Sequence, residues 1–234
     1  MNISPVKATK AIQSITSTAK AQVPATLEAP LQKCEESIKS VKIKASEVFD
    51  KDGKLNSLVK KMLDEAKFVL DKDGKTELMT IKEYTKANIL KIQKYNKDRY
   101  WGMYHATFSK QVADQIIKNG FDYKKISRAQ HGPGIYLAFA EGQALQYGSA
   151  KIKLDIIKDG KEVVFKPKWY DQVANSKIYN RIRKFTNCGE EKAKLALNEY
   201  VRSYIVDELG CNLGYANGEL ICFNPEVMGK LRHF

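Results

Sequence analysis

Cysteine is scarce in this sequence: Cys34, Cys188, Cys211 and Cys222 are the only four in 234 residues, and no two form a Cys-x-x-Cys pair. That spacing argues against a zinc module, and four cysteines in so long a chain argue against a disulfide framework; a reducing compartment fits. Histidine is scarcer still, with His105, His131 and His233 the only candidates for imidazole chemistry. No run of 18 apolar residues is present, so no transmembrane helix is expected, and the N-terminus lacks the apolar stretch of a secretory signal peptide. Acidic residues number 27 against 40 basic ones, a net charge of +13. Such a surplus favours polyanions as partners. The lysines are nevertheless spread along the chain with no tract of five, which is equally the pattern of a solvated surface.

What is present suits a folded domain: 43% hydrophobic and 29% charged residues, with length for one domain and an appendage. Residues 1–30, rich in Ala, Thr, Ser and Lys and broken by Pro5, Pro24 and Pro30, read as a flexible segment. Leu31, Ile38 and Val41 predict a short helix over 31–46. A two-copy repeat follows, Glu47-Val48-Phe49-Asp50-Lys51-Asp52-Gly53-Lys54 and Phe68-Val69-Leu70-Asp71-Lys72-Asp73-Gly74-Lys75. Asp-Gly between apolar residues predicts strand-turn-strand units, because glycine takes the positive φ of a tight turn. An EF-hand fails on register; a helix from Leu58 to Leu63 is the alternative to a strand there. Residues 83–98 read as helix or linker. The organisation expected is a flexible segment at 1–30, a helical or hairpin region at 31–95 and a larger domain at 96–234.

In that domain, residues 100–107 predict a strand. Ser109 is a helix N-cap and Gly120 its terminator, with Val112, Ile116 and Ile117 on one face and Phe121 folding back. A polar loop leads through Gly132-Pro133-Gly134 into the strand Ile135–Phe139 and a helix over 141–147. Residues 152–157 and 162–165 predict a hairpin about Asp159-Gly160. Residues 166–185 mix basic side chains with Trp169, Tyr170, Tyr179 and Phe185, a mixture able to grip nucleic acid or to form a protein-binding surface or solvated flap. Ala193, Leu197, Val201, Tyr204, Ile205 and Leu209 predict a helix ended by Gly210, and Glu219–Phe223 a final strand. The class is α+β.

Three segments stand out chemically, each with a plain structural reading beside the functional one. Tyr104-His105-Ala106-Thr107 puts an imidazole at a strand end, where a lone His is more often structural. Gly132-Pro133-Gly134-Ile135-Tyr136-Leu137-Ala138 is followed eleven residues later by Tyr147; the glycines could merely turn the chain, yet two rings on neighbouring elements can sandwich a flat heterocycle. Gly218-Glu219-Leu220-Ile221-Cys222-Phe223-Asn224-Pro225 opens an apolar strand with a carboxylate, either a rim charge or a group facing a cleft. In the loop before the glycines, Arg128 and His131 could touch a phosphate or a substrate, or have no role.

Taken in order, these segments resemble the diphtheria-toxin-like and poly(ADP-ribose)-polymerase-like ADP-ribosyltransferases, over roughly residues 100–234; residues 1–95 carry no such resemblance. The resemblance implies a split mixed β-sheet around an NAD cleft, preceded by the small N-terminal region. It implies NAD as co-substrate, no metal, and His105, Tyr136 and Glu219 as the catalytic set. His105 would bond the adenosine ribose and backbone groups of Ala106 the nicotinamide amide, while Tyr136 and Tyr147 would stack on the ring. Thr107, Gly134 and Ala144 complete the NAD-binding positions. Glu219 would accept from the 2′-hydroxyl of the nicotinamide ribose and stabilise the cationic transition state. Two positions depart from the family: Ala106 stands where it carries Gly, and Ala144 where its polymerase-like members often carry Ser, a hydrogen bond whose loss costs about 0.5–1.5 kcal/mol.

The function expected is transfer of single ADP-ribose units to a macromolecule, a protein in preference to nucleic acid. The alternatives are an inactive NAD-binding module, a related RNA-modifying transferase and a basic nucleic-acid-binding protein. The architecture is that of a soluble cytoplasmic protein or a bacterial effector or toxin acting in a host cytosol.

Overall fold

In the computed structural model the residues described are 43–72, 75–125, 131–175 and 178–234. Residues 1–30, most of the helix expected over 31–46, and Arg128 therefore lie outside them.

The two copies of the repeat fold unequally. In the first, Asp50 Oδ1 accepts from the backbone N–H of Asp52 and Lys54, Gly53 takes a φ of 77°, and one bridge joins Phe49 to Leu55. The chain then enters helix α1 (Ser57–Glu65), capped by Asn56, so residues 58–63 take the helical alternative. The second copy is a full antiparallel hairpin of β1 (Phe68–Lys72) and β2 (Lys75–Met79). Thr80 and Glu83 form a reciprocal cap on α2 (Ile81–Ala87).

Residues 83–98 are neither a helix throughout nor a linker. After α2 the chain becomes β3 (Ile89–Tyr95), the edge of a five-stranded sheet ordered β3-β7-β8-β9-β5. Its partners are β7 (Gly160–Phe165), β8 (Leu213–Ala216), β9 (Glu219–Cys222) and β5 (Ile135–Leu137). A second sheet, ordered β10-β6-β4, holds β4 (Met103–Thr107), β6 (Ala150–Leu154) and β10 (Arg232–His233). The α+β class is as expected, with one parallel pair, β7 and β8, in the larger, mixed sheet.

The hairpin expected about Asp159-Gly160 does not form: β6 and β7 go to different sheets. Asp159 accepts from the backbone N–H of Lys97 rather than closing a turn, and Gly160 passes where a Cβ would lie 2.7 Å from Asn212. A hairpin does form where none was expected. Asn217 (φ 51°) and Gly218 (φ 83°) make a two-residue turn between β8 and β9. That dipeptide is a strong short-range hairpin signal, since both central residues need positive φ.

Helices cover the sheets. α3 (Lys110–Asn119) is capped by Ser109 and ended by Gly120 as expected, but it buries only Ala113, leaving Val112 exposed. α4 (Glu141–Ala144) is a single turn. α5 (Trp169–Asn175), α6 (Ile178–Thr186) and α7 (Glu190–Ser203) follow β7, and α7 continues as a π-turn over Tyr204–Glu208. Among the described residues no helix is long and apolar enough to cross a membrane.

One core joins the region before residue 95 to the rest. Val59, Leu63, Ile81 and Tyr84 pack in the same buried cluster as Trp169, Ile182, Leu197 and Phe223. Trp169 and Tyr170 are buried and Trp169 stacks on Phe165, so these two rings of the mixed basic and aromatic stretch belong to the core and are not open to stack on nucleic-acid bases. A second cluster takes Met103, Ile135, Leu137, Leu154 and Leu220. Strand β9 serves both, because alternate side chains point to opposite faces: Ile221 to the first, Leu220 and Cys222 to the second.

Leu63→Ala, at a fully buried position, is expected to lower unfolding stability by about 2–5 kcal/mol. Urea unfolding read by emission of the buried Trp169 and by far-UV circular dichroism should shift as one coincident transition. An early transition that leaves Trp169 unchanged would separate residues 43–87 from the shared core.

Candidate active site

Strands β4, β5 and β9 lie side by side and carry the three singled-out segments. β5 and β9 pair antiparallel, Tyr136 opposite Ile221 and Leu137 opposite Leu220. Opposed residues share a face, and Glu219 lies two residues from Ile221, so Glu219 and Tyr136 stand on one side of the sheet.

β4 meets β5 through a single bridge. The Tyr104 N–H donates to Ala138 O over 2.9 Å, and the Ala138 N–H to Tyr104 O over 2.8 Å. Backbone groups alternate sides along a strand. The N–H and C=O of Ala106 therefore point the same way as those of Tyr104, away from β6, at a level where, among the described residues, no strand pairs with β4 on that side. One donor and one acceptor are thus presented at the split between the sheets. The φ of Ala106 is not positive, so its methyl brings no backbone strain in place of glycine.

His105 Nδ1 lies 2.9 Å from the carbonyl oxygen of Tyr136. A carbonyl can only accept, so Nδ1 carries the proton and Nε2 keeps a lone pair. The ring meets Phe121 edge-on at 4.9 Å. Burial holds the imidazole below its ordinary value of 6.5, against the opposing effect of the Tyr136 carbonyl. Tyr136 is pinned at its far end: its hydroxyl accepts from His131 N–H (2.8 Å) and donates to Gly132 O (3.1 Å). Burial raises that phenol well above its usual range.

Glu219 begins β9 directly after the Asn217-Gly218 turn. Its Oε1 accepts from the Tyr147 hydroxyl, and Oε2 lies 3.6 Å from His131 Nε2. The hydrogen bond to Glu219 is the main reason the Tyr147 phenol is raised above 10, and the ring itself is 49% exposed. Tyr147 is delivered by α4, whose Ala144 carbonyl accepts from Tyr147 N–H and whose Gln143 amide donates to Gly218 O.

His105, Ala106, Tyr136, Tyr147 and Glu219 are thus gathered into one connected region. Gly134 serves by its lack of a side chain: a Cβ there would lie 2.4 Å from Ile221 Cγ2 and 2.8 Å from Cys222 O. Thr107 turns away, donating its hydroxyl to Ser109 O, and Ala144 offers only a buried methyl. His131 is not an exposed phosphate ligand; it is buried between Tyr136 and Glu219. Spacing in the sequence could not have linked His131 to Glu219.

Phe121 and Pro133 also line a cleft of about 380 Å³, whose other walls include Arg202 and, from the N-terminal region, Phe49 and Lys54. Arg202 is held by two bonds to Glu199 and one to Phe223 O. Cys188, Cys211 and Cys222 are buried free thiols, and burial pushes that of Cys222 up to about 12. Among the described residues no group of three or more His, Cys, Asp or Glu converges to hold a metal ion. Compared with protein-family models, curated proteins and solved structures, the chain matches none of them.

Two outcomes follow from this geometry. Gly134→Ala is expected to destabilise the fold by about 1–3 kcal/mol in urea unfolding, because backbone and Ile221 leave no room for a methyl. His105 binds a proton less readily folded than unfolded, so the stability linked to it is complete above pH 6.5 and is lost as pH falls from there toward the lowered folded value. Ring-carbon NMR should show His105 titrating below 6.5, and His105→Gln should flatten the acid side of the stability profile.

Proposed function

We propose that the chain is an NAD-dependent ADP-ribosyltransferase that moves single ADP-ribose units to a macromolecular acceptor, a protein in preference to nucleic acid. The observation that carries the reading is the gathering of His105, Tyr136 and Glu219 on adjacent strands beside the open edge at Ala106.

Each group has work that its geometry suits. The lone pair of His105 Nε2 accepts from a ribose hydroxyl of the adenosine half, and the committed Nδ1–H keeps that tautomer in place. The N–H and C=O of Ala106, unpaired by any strand among the described residues on that side, match the one acceptor and one donor of the nicotinamide amide. The Tyr136 ring, fixed at its hydroxyl, and the half-exposed Tyr147 ring flank the heterocycle. Glu219 accepts from the 2′-hydroxyl of the nicotinamide ribose. The bond from ribose C1′ to nicotinamide nitrogen breaks with its electron pair leaving on nicotinamide, and positive charge grows on the sugar. A fixed carboxylate stabilises that charge more than the ground state. The acceptor's nucleophile then bonds to C1′, and its proton passes to Glu219 or to solvent.

The buried Trp169 and Tyr170 remove part of the sequence basis for a nucleic-acid-binding reading. The test is nicotinamide release and macromolecular labelling from labelled NAD in a cell lysate, wild type against Glu219→Gln. Label from wild type and a loss of about 100-fold or more in the variant is the expected result. Binding without turnover by either protein makes the chain an NAD-binding module, and no binding by either overturns the reading.

A further inference from the structure

We propose that His131 is a positioning residue for Glu219, holding one carboxylate oxygen from the buried side so that the other is presented to the substrate; the inference rests on the transferase reading above.

Among the described residues three hydrogen bonds fix this histidine. Its backbone N–H donates to the Tyr136 hydroxyl over 2.8 Å, and its carbonyl accepts from Trp169 Nε1 over 2.7 Å. Its Nδ1 lies 3.2 Å from the backbone N–H of Lys168. An amide N–H can only donate, so Nδ1 is the acceptor and the proton of the neutral ring sits on Nε2. That N–H is the ring's remaining polar group, and it faces Glu219 Oε2 at 3.6 Å. The separation is longer than a made hydrogen bond, and contacts of this kind commonly close only when substrate is bound. The two histidines of the site therefore hold opposite tautomers: His105 offers a lone pair at Nε2 and His131 a donor.

The two oxygens of Glu219 are consequently unlike. Oε2 faces His131, whose side chain is only 5% exposed and anchored to the segment that opens α5. Oε1 is held by the hydroxyl of Tyr147, which is 49% exposed and sits on the short turn after α4. A ribose hydroxyl entering the site would replace the Tyr147 hydroxyl at Oε1 and free that ring to lie against nicotinamide. His131 would keep the carboxylate from rotating as its partner changes. The role also explains why the turn before β5 and the start of β9 are tied to the same residue: Tyr136 and Glu219 are set relative to one another through it.

The full chain and two substitutions test this. His131→Asn keeps an acceptor near Nδ1 for Lys168 but loses the reach to Glu219, whereas His131→Gln places an amide N–H near the position of Nε2. In nicotinamide release from NAD, His131→Asn should lose about 10- to 100-fold in kcat with KM changed by less than about two-fold, and His131→Gln should recover most of the loss. With only three histidines, ¹⁵N-histidine labelling reads tautomers directly: His131 should be protonated on Nε2, and Glu219→Gln should move that signal. Should His131→Asn fail to fold, the tautomer and the Gln variant decide. An active wild type with an equally active His131→Asn, or a His131 protonated on Nδ1 alone, overturns the positioning role and leaves the transferase reading intact. A wild type inert toward NAD overturns both.

Discussion

Two backbone hydrogen bonds between Tyr104 and Ala138 join the small sheet to the large one, and the geometry of the candidate site depends on them. They fix β4 against β5 at one level only. Along its other edge β4 pairs with β6 from Met103 to Thr107, and at its end Gly148 passes so close that a Cβ would lie 2.2 Å from the Thr107 carbonyl oxygen. On the β5 side the strands part just where His105 and Ala106 stand. Full pairing would have consumed the backbone groups of Ala106. No pairing would have left His105 without the register that brings its ring to the Tyr136 carbonyl.

The rest of the molecule holds that arrangement still. β9 is buried on both faces, which accounts for its unbroken apolar run and makes Glu219, at its first position, the end of a rigid element rather than a loop residue. The Asn217-Gly218 turn sets its register against β8, and the missing side chain of Gly134 lets β5 approach β9. The region before residue 95 belongs to the same construction: it supplies the edge strand β3 and part of the larger core. On the far side of α7, Lys82 bridges Asp64 and Glu208, while Tyr200 donates to Asp64. The pairs at Lys82 are partly exposed and add little stability individually; apolar packing beneath them carries the association.

Local signals were legible where the cause of structure is local. The Ser109 cap and Gly120 terminator, the helical spacing from Ala193 to Ile205, and the strands holding His105, Tyr136 and Glu219 follow from a few neighbouring residues. Reading failed where partners are distant. Residues 89–95 set Lys91, Gln93 and Lys94 among apolar residues, leave Leu90 and Ile92 exposed and lie at a sheet edge, so their strand character depends on pairing with β7. Asp159-Gly160 carries a hairpin signal, but the flanking strands find better partners in separate sheets. Trp169 and Tyr170 stand among basic residues in sequence, and burial of their rings is decided by what packs over them.

The sequence by itself determined the α+β class, most elements of the larger domain, and which side chains have the chemistry for a site, because periodicity, caps and turn residues act within a few positions. Only the tertiary structure decided that the sheet is split at Ala106, that the N-terminal region shares the core, and that His131 and Tyr147 face the two oxygens of Glu219. Those relations join residues far apart in the chain, His131 and Glu219 being 88 positions apart, and depend on register and packing, which no local pattern encodes.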